Sequence, residues 1–254
     1  MTTLTLLTKI HNTSQLSQLD AVLKLLLEGL DAEAKMLPAV AGNWAQIALS
    51  GEDEGIATTY LSKEIGFCPT NFEKIRKFST LKGYIVNFEK SREELLIDVG
   101  ISQPRIVFAT IPLRNMQAQL VDGRKVALEK IGELLGLCEN LPLSVKVVRA
   151  SEQEGLVEAE LSPPQVEKYW AWRDALLDKL VVLGVTSHKV KDVLEHTELF
   201  RDVINVESFG VFEHVLTCKL GTDAAGLIPK IGRALKNVKF AVFNPRKLRN
   251  FLKV

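Results

Sequence analysis

The feature that most constrains the fold is a series of five strand-like segments between residues 79 and 161, with one helix-like stretch set between the third and the fourth. Residues 79–88, 93–99, 105–111, 143–148 and 155–161 read as short strands. Residues 123–137 carry Val126, Leu128, Ile131, Leu134 and Leu135 at helical spacing. Five strands with a helix between the third and fourth is the order of an oligonucleotide-binding (OB) barrel. We therefore expect a barrel over residues 76–162. Its first strand interleaves aromatic and basic side chains and follows Lys74, Arg76 and Lys77. A nucleic-acid strand offers a charged backbone and flat base faces, and Lys or Arg beside Tyr or Phe answers both.

The flanking segments predict an α+β multidomain protein. Residues 1–75 follow a βαββα order: a strand over 2–10, a helical stripe of Leu16, Leu19, Val22, Leu23, Leu26 and Leu27 capped at Thr13 or Ser14, strands over 34–40 and 44–50, and a helix from 50 to about 65. That order suits a ferredoxin-like module. Pro163-Pro164 closes the last barrel strand and opens a C-terminal α+β module over 163–254. Its expected elements are a helix running to about 183, a helix over 187–197, a hairpin over 203–209 and 211–220, a helix over 224–235 bent or interrupted at Pro229, a strand over 238–243 and a terminal helical turn. Tyr169, Trp170 and Trp172 in the first of these helices either mark a partner surface or seal the barrel against the third module.

A net charge of +1 over 254 residues hides a segregation along the chain. Residues 61–150 hold 14 Lys and Arg against 10 Asp and Glu, residues 151–223 hold 7 against 14, and residues 224–254 hold 8 against none. A segment without a carboxylate has the composition of a phosphate-facing surface. The alternative is a solvated surface that pairs with the acidic segment of the same chain.

Catalytic and metal chemistry find little support. Cys68, Cys138 and Cys218 are far apart, with no paired spacing for a disulfide framework or a zinc site. His11, His188, His196 and His214 have no ligand spacing with neighbouring carboxylates, and no nucleophile and base can be paired. Residues 221–226, at a helix start, could offer N–H groups to an anion, but Asp223 takes the favourable first-turn position. No stretch approaches the roughly 18 to 20 apolar residues of a membrane span. The expectation is a cytoplasmic, non-enzymatic protein with no catalytic residue, metal or cofactor.

Lys82-Gly-Tyr-Ile-Val-Asn-Phe88, Leu96-Ile-Asp-Val-Gly100, Leu143-Ser-Val-Lys-Val-Val148 and Val157-Glu-Ala-Glu-Leu-Ser162 together resemble the S1-type RNA-binding domain. Leu96 stands where that domain usually has an aromatic, Glu94 where it has a glycine, and Phe108 where many members place a base-stacking histidine. The resemblance implies RNA as ligand. With Leu81 and Ile85 inward on the first strand, Lys82 and Tyr84 face out, and Tyr84 and Phe108 are the stacking candidates. Lys82, Lys90, Arg92, Arg105, Lys146 and Arg149 are the candidate phosphate contacts in the barrel, and Arg233, Lys236, Arg246, Lys247 and Arg249 extend the footprint at the C-terminus. Considered whole, the chain is similar to an archaeal family of unknown function, DUF2110, above all in Phe209-Gly-Val-Phe-Glu-His214 and in residues 218–232. That similarity implies three modules and an archaeal, cytoplasmic setting.

The expected function is RNA binding by the barrel and the basic C-terminal segment, near the ribosome, tRNA or RNA processing. A protein-interaction scaffold with a ligand-free barrel is the first alternative, which Leu96 favours, and an RNA-modifying or nucleotide-using enzyme is the second.

Overall fold

The computed structural model describes residues 2–253. The chain forms two compact units, one of residues up to Lys74 with Gly100–Val107, the other of Ile75–Val99 with the chain from Phe108 onward.

In the first unit β1 (Thr2–Lys9), α1 (Thr13–Leu26), β2 (Glu33–Val40), β3 (Trp44–Ser50) and α2 (Glu54–Glu64) follow one another as the periodicity predicts. The strand order is β1-β3-β2, antiparallel throughout. The α1 crossover thus leaves room for β3 between the two strands it connects, the split βαβ arrangement. Past α2 the chain returns along the free edge of β1: the Leu7 N–H donates to the Gly66 carbonyl and the Cys68 N–H to the Thr5 carbonyl, both at 2.9 Å. Leu6, Leu19, Leu23, Ile47, Leu49 and Leu61 form the core. The cap of α1 is Asn12, one residue before the expected pair. Its side chain accepts from the Gln15 N–H at 2.9 Å, while the Gln15 side chain accepts from the His11 N–H at 2.7 Å. That reciprocal pairing is close to a capping box, which makes Asn12 the better terminus. After a two-residue strand, β4 (Thr70–Asn71), the chain leaves this unit.

The barrel consists of β5 (Thr80–Val86), β6 (Glu94–Gln103), β7 (Val107–Pro112), β8 (Pro142–Ser151) and β9 (Leu156–Leu161). β5 pairs with β6 and β8, β8 with β9, β9 with β7, and β7 with β6, so the ring is closed and no edge is left open. The β7–β9 pairing is parallel, and the connection after β7 is long enough to carry two helices, α3 (Leu113–Leu120) and α4 (Leu128–Leu135), where the sequence predicts one. The polar run before residue 123 is helical because Met116 and Leu120 bury one face of it and Gln119 bonds both backbone groups of Leu161. β6 also continues past Gly100, where the sequence expectation ends it.

The C-terminal part contains α5 (Pro163–Ala175), β10 (Lys179–Leu183), α6 (Ser187–His196), β11 (Val203–Ser208), β12 (Glu213–Cys218), α7 (Ala224–Ala234), β13 (Lys239–Phe243) and α8 (Pro245–Leu252). The expected single helix to residue 183 is corrected: Leu176, at φ +55°, ends α5, and Lys179–Leu183 is the inner strand of a sheet ordered β11-β12-β10-β13. A short continuous apolar run reads equally as a buried strand or a buried helix segment, and only pairing partners decide. The sheet is fully antiparallel and repeats the split arrangement of the first unit with its fourth strand complete. α7 runs through Pro229 without a break. The carbonyl that loses its bond belongs to exposed Ala225, where water can serve it. Leu180, Val182, Leu216, Leu227 and Ile231 pack one face of the sheet under α6 and α7. Tyr169 and Trp172 of α5 meet Phe243 at 6.3 and 5.5 Å between ring centroids, and Trp172 stacks on Phe209 at 5.8 Å. Tyr169 and Trp172 therefore seal the module, whereas Trp170 stays half-buried beneath the Arg173 guanidinium.

Candidate nucleic-acid interface

Alternation along β5 places Gly83 and Ile85 toward the barrel interior and Lys82 and Tyr84 outside, as expected. The expected exposure of Tyr84 is corrected, because its side chain is 1% accessible. Its hydroxyl donates to Glu213 Oε2 at 3.2 Å, and the Phe212 N–H donates to the same oxygen at 3.3 Å. Residue 210 is glycine because a Cβ there would collide with that carboxylate. Lys82 has an exposed stem, yet its ammonium donates to the Phe209 carbonyl. Burial lowers the Lys82 pKa, with Glu213 opposing the shift. Burial also pushes Glu213 up to about 7, against the bonds from Tyr84 and the Phe212 N–H and the charge of Lys82. The tyrosine ring that sequence assigns to a base is thus spent on holding a loop of the C-terminal module.

The other barrel cations are mostly neutralised. Lys146 meets Glu160 at 3.3 Å, Arg149 meets Glu154 at 2.8 Å and Arg92 meets Glu129 at 3.7 Å. Lys90 is exposed, Arg105 is exposed in the 100–107 segment of the first unit, and Phe108 is half-buried on the outer side of β7. Gly100 belongs to the first unit, where a Cβ on it would lie 2.6 Å from Cys68 Sγ and 3.5 Å from the Trp44 ring.

The C-terminal cations stand differently. Asn244 caps α8 by accepting from the Lys247 N–H at 3.0 Å, and Leu248 and Leu252 anchor its inner face. Arg246 and Lys247 on α8, with Arg233 on α7 and Lys236 just beyond it, are exposed, and none makes an ion pair among the described residues. Arg249 is half-buried. Lys247 acts on Glu133 only at longer range, after Lys130, which bonds that carboxylate at 2.8 Å. The start of α7 is closed to anions, since Asp223 accepts from the Ala225 N–H at 3.0 Å and Asp178 from the Ala224 N–H at 3.3 Å.

Sequence reasoning overlooked Phe78. The Ser79 N–H donates to the Arg76 carbonyl at 3.0 Å, closing a turn that puts Phe78 in its third position at φ +69°. Turns with positive φ there favour Gly or Asn. The ring is 63% exposed, with the Lys77 ammonium 4.9 Å and the Lys146 ammonium 5.5 Å from its centroid. A left-handed non-glycine residue costs about 1–2 kcal/mol, and each exposed cation–π contact returns about 0.5–1 kcal/mol. With little burial to add, this side chain contributes almost nothing to stability. The signal available in sequence was a ring directly after Arg76 and Lys77, at the entrance to the first barrel strand.

Three family domains match the chain: the DUF2110 N-terminal domain over residues 3–70, the DUF2110 central domain over 77–173 and the DUF2110 C-terminal domain over 177–243. The chain belongs to the DUF2110 family. No curated protein matches this DUF2110 sequence. Among solved structures it is similar to an uncharacterized protein from Methanocaldococcus jannaschii, with 16% identity, 35% of this chain and 96% of that chain covered, and a TM-score of 0.25. It is also similar to the intact α subunit of aIF2 from Pyrococcus abyssi, with 8% identity, coverage of 68% and 98%, and a TM-score of 0.28. A third match is a complex of a/eIF2α, aDim2p and rRNA from Pyrococcus horikoshii, with 9% identity, coverage of 50% and 62%, and a TM-score of 0.27. Likeness at this level carries no argument about function.

One groove of the DUF2110 chain has a ligand-like size, ≈ 530 Å³, and is lined by Phe88, Arg92, Glu129, Glu139, Lys239 and Phe240. Arg92 from the barrel and Lys239 from the last strand do share this wall. Its charges are largely used internally: Arg92 faces Glu129, and Glu139 accepts from the N–H groups of Asn87 and Phe88 at 3.2 and 2.9 Å. Among the described residues no cluster of three His, Cys, Asp or Glu side chains could hold a metal ion, and no helix is long and apolar enough to cross a membrane.

Proposed function

We propose that this protein binds RNA in the cytoplasm without acting as an enzyme, with affinity supplied chiefly by the C-terminal cations and with the barrel, of S1 type, as the frame that carries them. The observation behind this reading is the set Arg233, Lys236, Arg246 and Lys247, exposed and unpaired among the described residues on a segment that has no carboxylate from residue 224 to the end. Unpaired ammonium and guanidinium groups release phosphate counterions on contact, so binding should weaken steeply with salt. Half-exposed Arg249 and exposed Lys90 lie within the same proposal. Titration of single-stranded RNA oligomers by fluorescence anisotropy at several salt concentrations tests it. A complex whose log K falls linearly with log salt supports the reading, and the lack of any salt-sensitive complex overturns it.

A second reading, a protein scaffold, is favoured by the engagement of Lys82 and Tyr84 with the 209–213 loop. Charge reversal at the four C-terminal cations separates the two readings. An RNA binder loses its ligand, and a scaffold keeps its partner.

A further inference from the structure

We propose that Phe78 is a nucleobase-stacking residue, on which one unpaired base of single-stranded RNA lies while Lys77 takes the neighbouring phosphate. This rests on the RNA-binding reading above and gives it a second, independent contact. Four observations carry it. The ring is 63% exposed. It is held at φ +69° in a turn closed by the Ser79 N–H on the Arg76 carbonyl, so the backbone is strained to present it. Its own N–H donates to the Val147 carbonyl at 2.8 Å, which fixes the turn to the start of the β5–β8 pairing and keeps the ring in place. Two ammonium groups lie over it, and Lys146 is tethered by Glu160 at 3.3 Å while Lys77 is exposed. A base arriving on the ring displaces the Lys77 ammonium, which then meets the phosphate that the base brings with it. A purely apolar partner would lose those two charges without compensation, whereas a nucleotide replaces each contact in kind. Exposed Arg76 stands at the same turn to follow the strand.

The test compares an unpaired oligoadenosine with an abasic oligomer of equal length and with a fully paired RNA duplex, using the full chain and the variants Phe78→Ala, Phe78→Trp and Phe78→Gly. Phe78→Ala should weaken oligoadenosine binding about tenfold, or ~1.4 kcal/mol, and leave the abasic and duplex ligands unchanged. Phe78→Trp should retain affinity. Phe78→Gly should leave the melting temperature close to that of the wild type, since the relief of the turn offsets the lost cation–π contacts, while binding as weakly as Phe78→Ala. Equal oligoadenosine affinity in wild type and Phe78→Ala, with the four-cation reversal still abolishing binding, overturns this inference and leaves the RNA reading standing. Absence of RNA binding by the wild type overturns both. Loss of self-association in Phe78→Ala with RNA affinity intact assigns the ring to a second copy of the chain and likewise overturns the proposal.

Discussion

The barrel and the C-terminal helices are both basic in sequence, yet they hold their charge in opposite ways. In the barrel, Lys146, Arg149 and Arg92 face Glu160, Glu154 and Glu129, and Lys82 is bound to a backbone carbonyl. On α7 and α8 the residues that interleave the cations are apolar or amide, so Arg233, Arg246 and Lys247 have no acid on their own helix. Lys146 and Glu160 face each other across paired strands, where opposite charges meet at about 5 Å, while Arg149 pairs with Glu154 in the turn of the same hairpin and Arg92 with Glu129 of α4. A helix can turn a whole basic face to solvent. Net charge of a segment is therefore a poor guide to its potential until the pairing partners are known.

The largest effect expected from this contrast comes from reversing Arg233, Lys236, Arg246 and Lys247 together to Glu. RNA affinity near 0.1 M salt should fall by more than about 100-fold, and the salt slope should drop by roughly 3, since each phosphate contact to a single strand contributes about 0.7. A small loss, with the slope unchanged, would show that the C-terminal face is not the phosphate site.

Next in size is the pH dependence of the contact that removes Tyr84 from the surface. Burial raises the Glu213 pKa to about 7 from an ordinary 4.5. Below 4.5 the carboxyl is protonated in folded and unfolded chains alike. Between there and about 7 the native state keeps its proton while the unfolded chain releases it, so stability should fall as pH rises through this window. The loss should reach up to about 3 kcal/mol, at 1.36 kcal/mol per pKa unit. Urea unfolding of the wild type and Glu213→Gln from pH 4.5 to 8 checks it. The variant should show a flatter profile, and identical profiles would mean that Glu213 does not carry the effect.

The smallest change should follow Lys146→Gln and Arg149→Gln. Both cations already have a carboxylate partner, and exposed pairs contribute about 0–1 kcal/mol. RNA affinity should change less than about threefold and stability by less than about 1 kcal/mol. A tenfold loss of affinity from either would break the contrast and return the barrel to the front of the site.

Much of the fold was readable in the sequence. The five barrel strands, the βαββα order of the first unit, α6 and the hairpin of β11 and β12 lie close to their expected places, because each carries a periodicity that local sterics and one buried face enforce. Three elements were misread for one shared reason. β10 is apolar on both faces and so has no periodicity to read. α3 looks polar because only Met116 and Leu120 touch the core. β6 passes through Gly100 because Thr70 and Asn71 of β4, distant in sequence, pair with Ile101 and Gln103. In the candidate site the outward side of Lys82 and Tyr84 was legible from alternation. Their engagement was not, because Phe209 and Glu213 lie more than a hundred residues away. Phe78 escaped notice because aromatic side chains near strands are ordinarily core, and only its positive φ and its exposure mark it out.

By itself, the sequence determined the elements that carry a clear period, the order of the five strands that form the barrel, and the acid-free composition of the last thirty-one residues. Tertiary structure alone decided which charges are cancelled and which rings are covered. Period and propensity act over neighbours in the chain, whereas pairing of charges and burial of an outward-facing side chain depend on what another segment brings within a few ångströms.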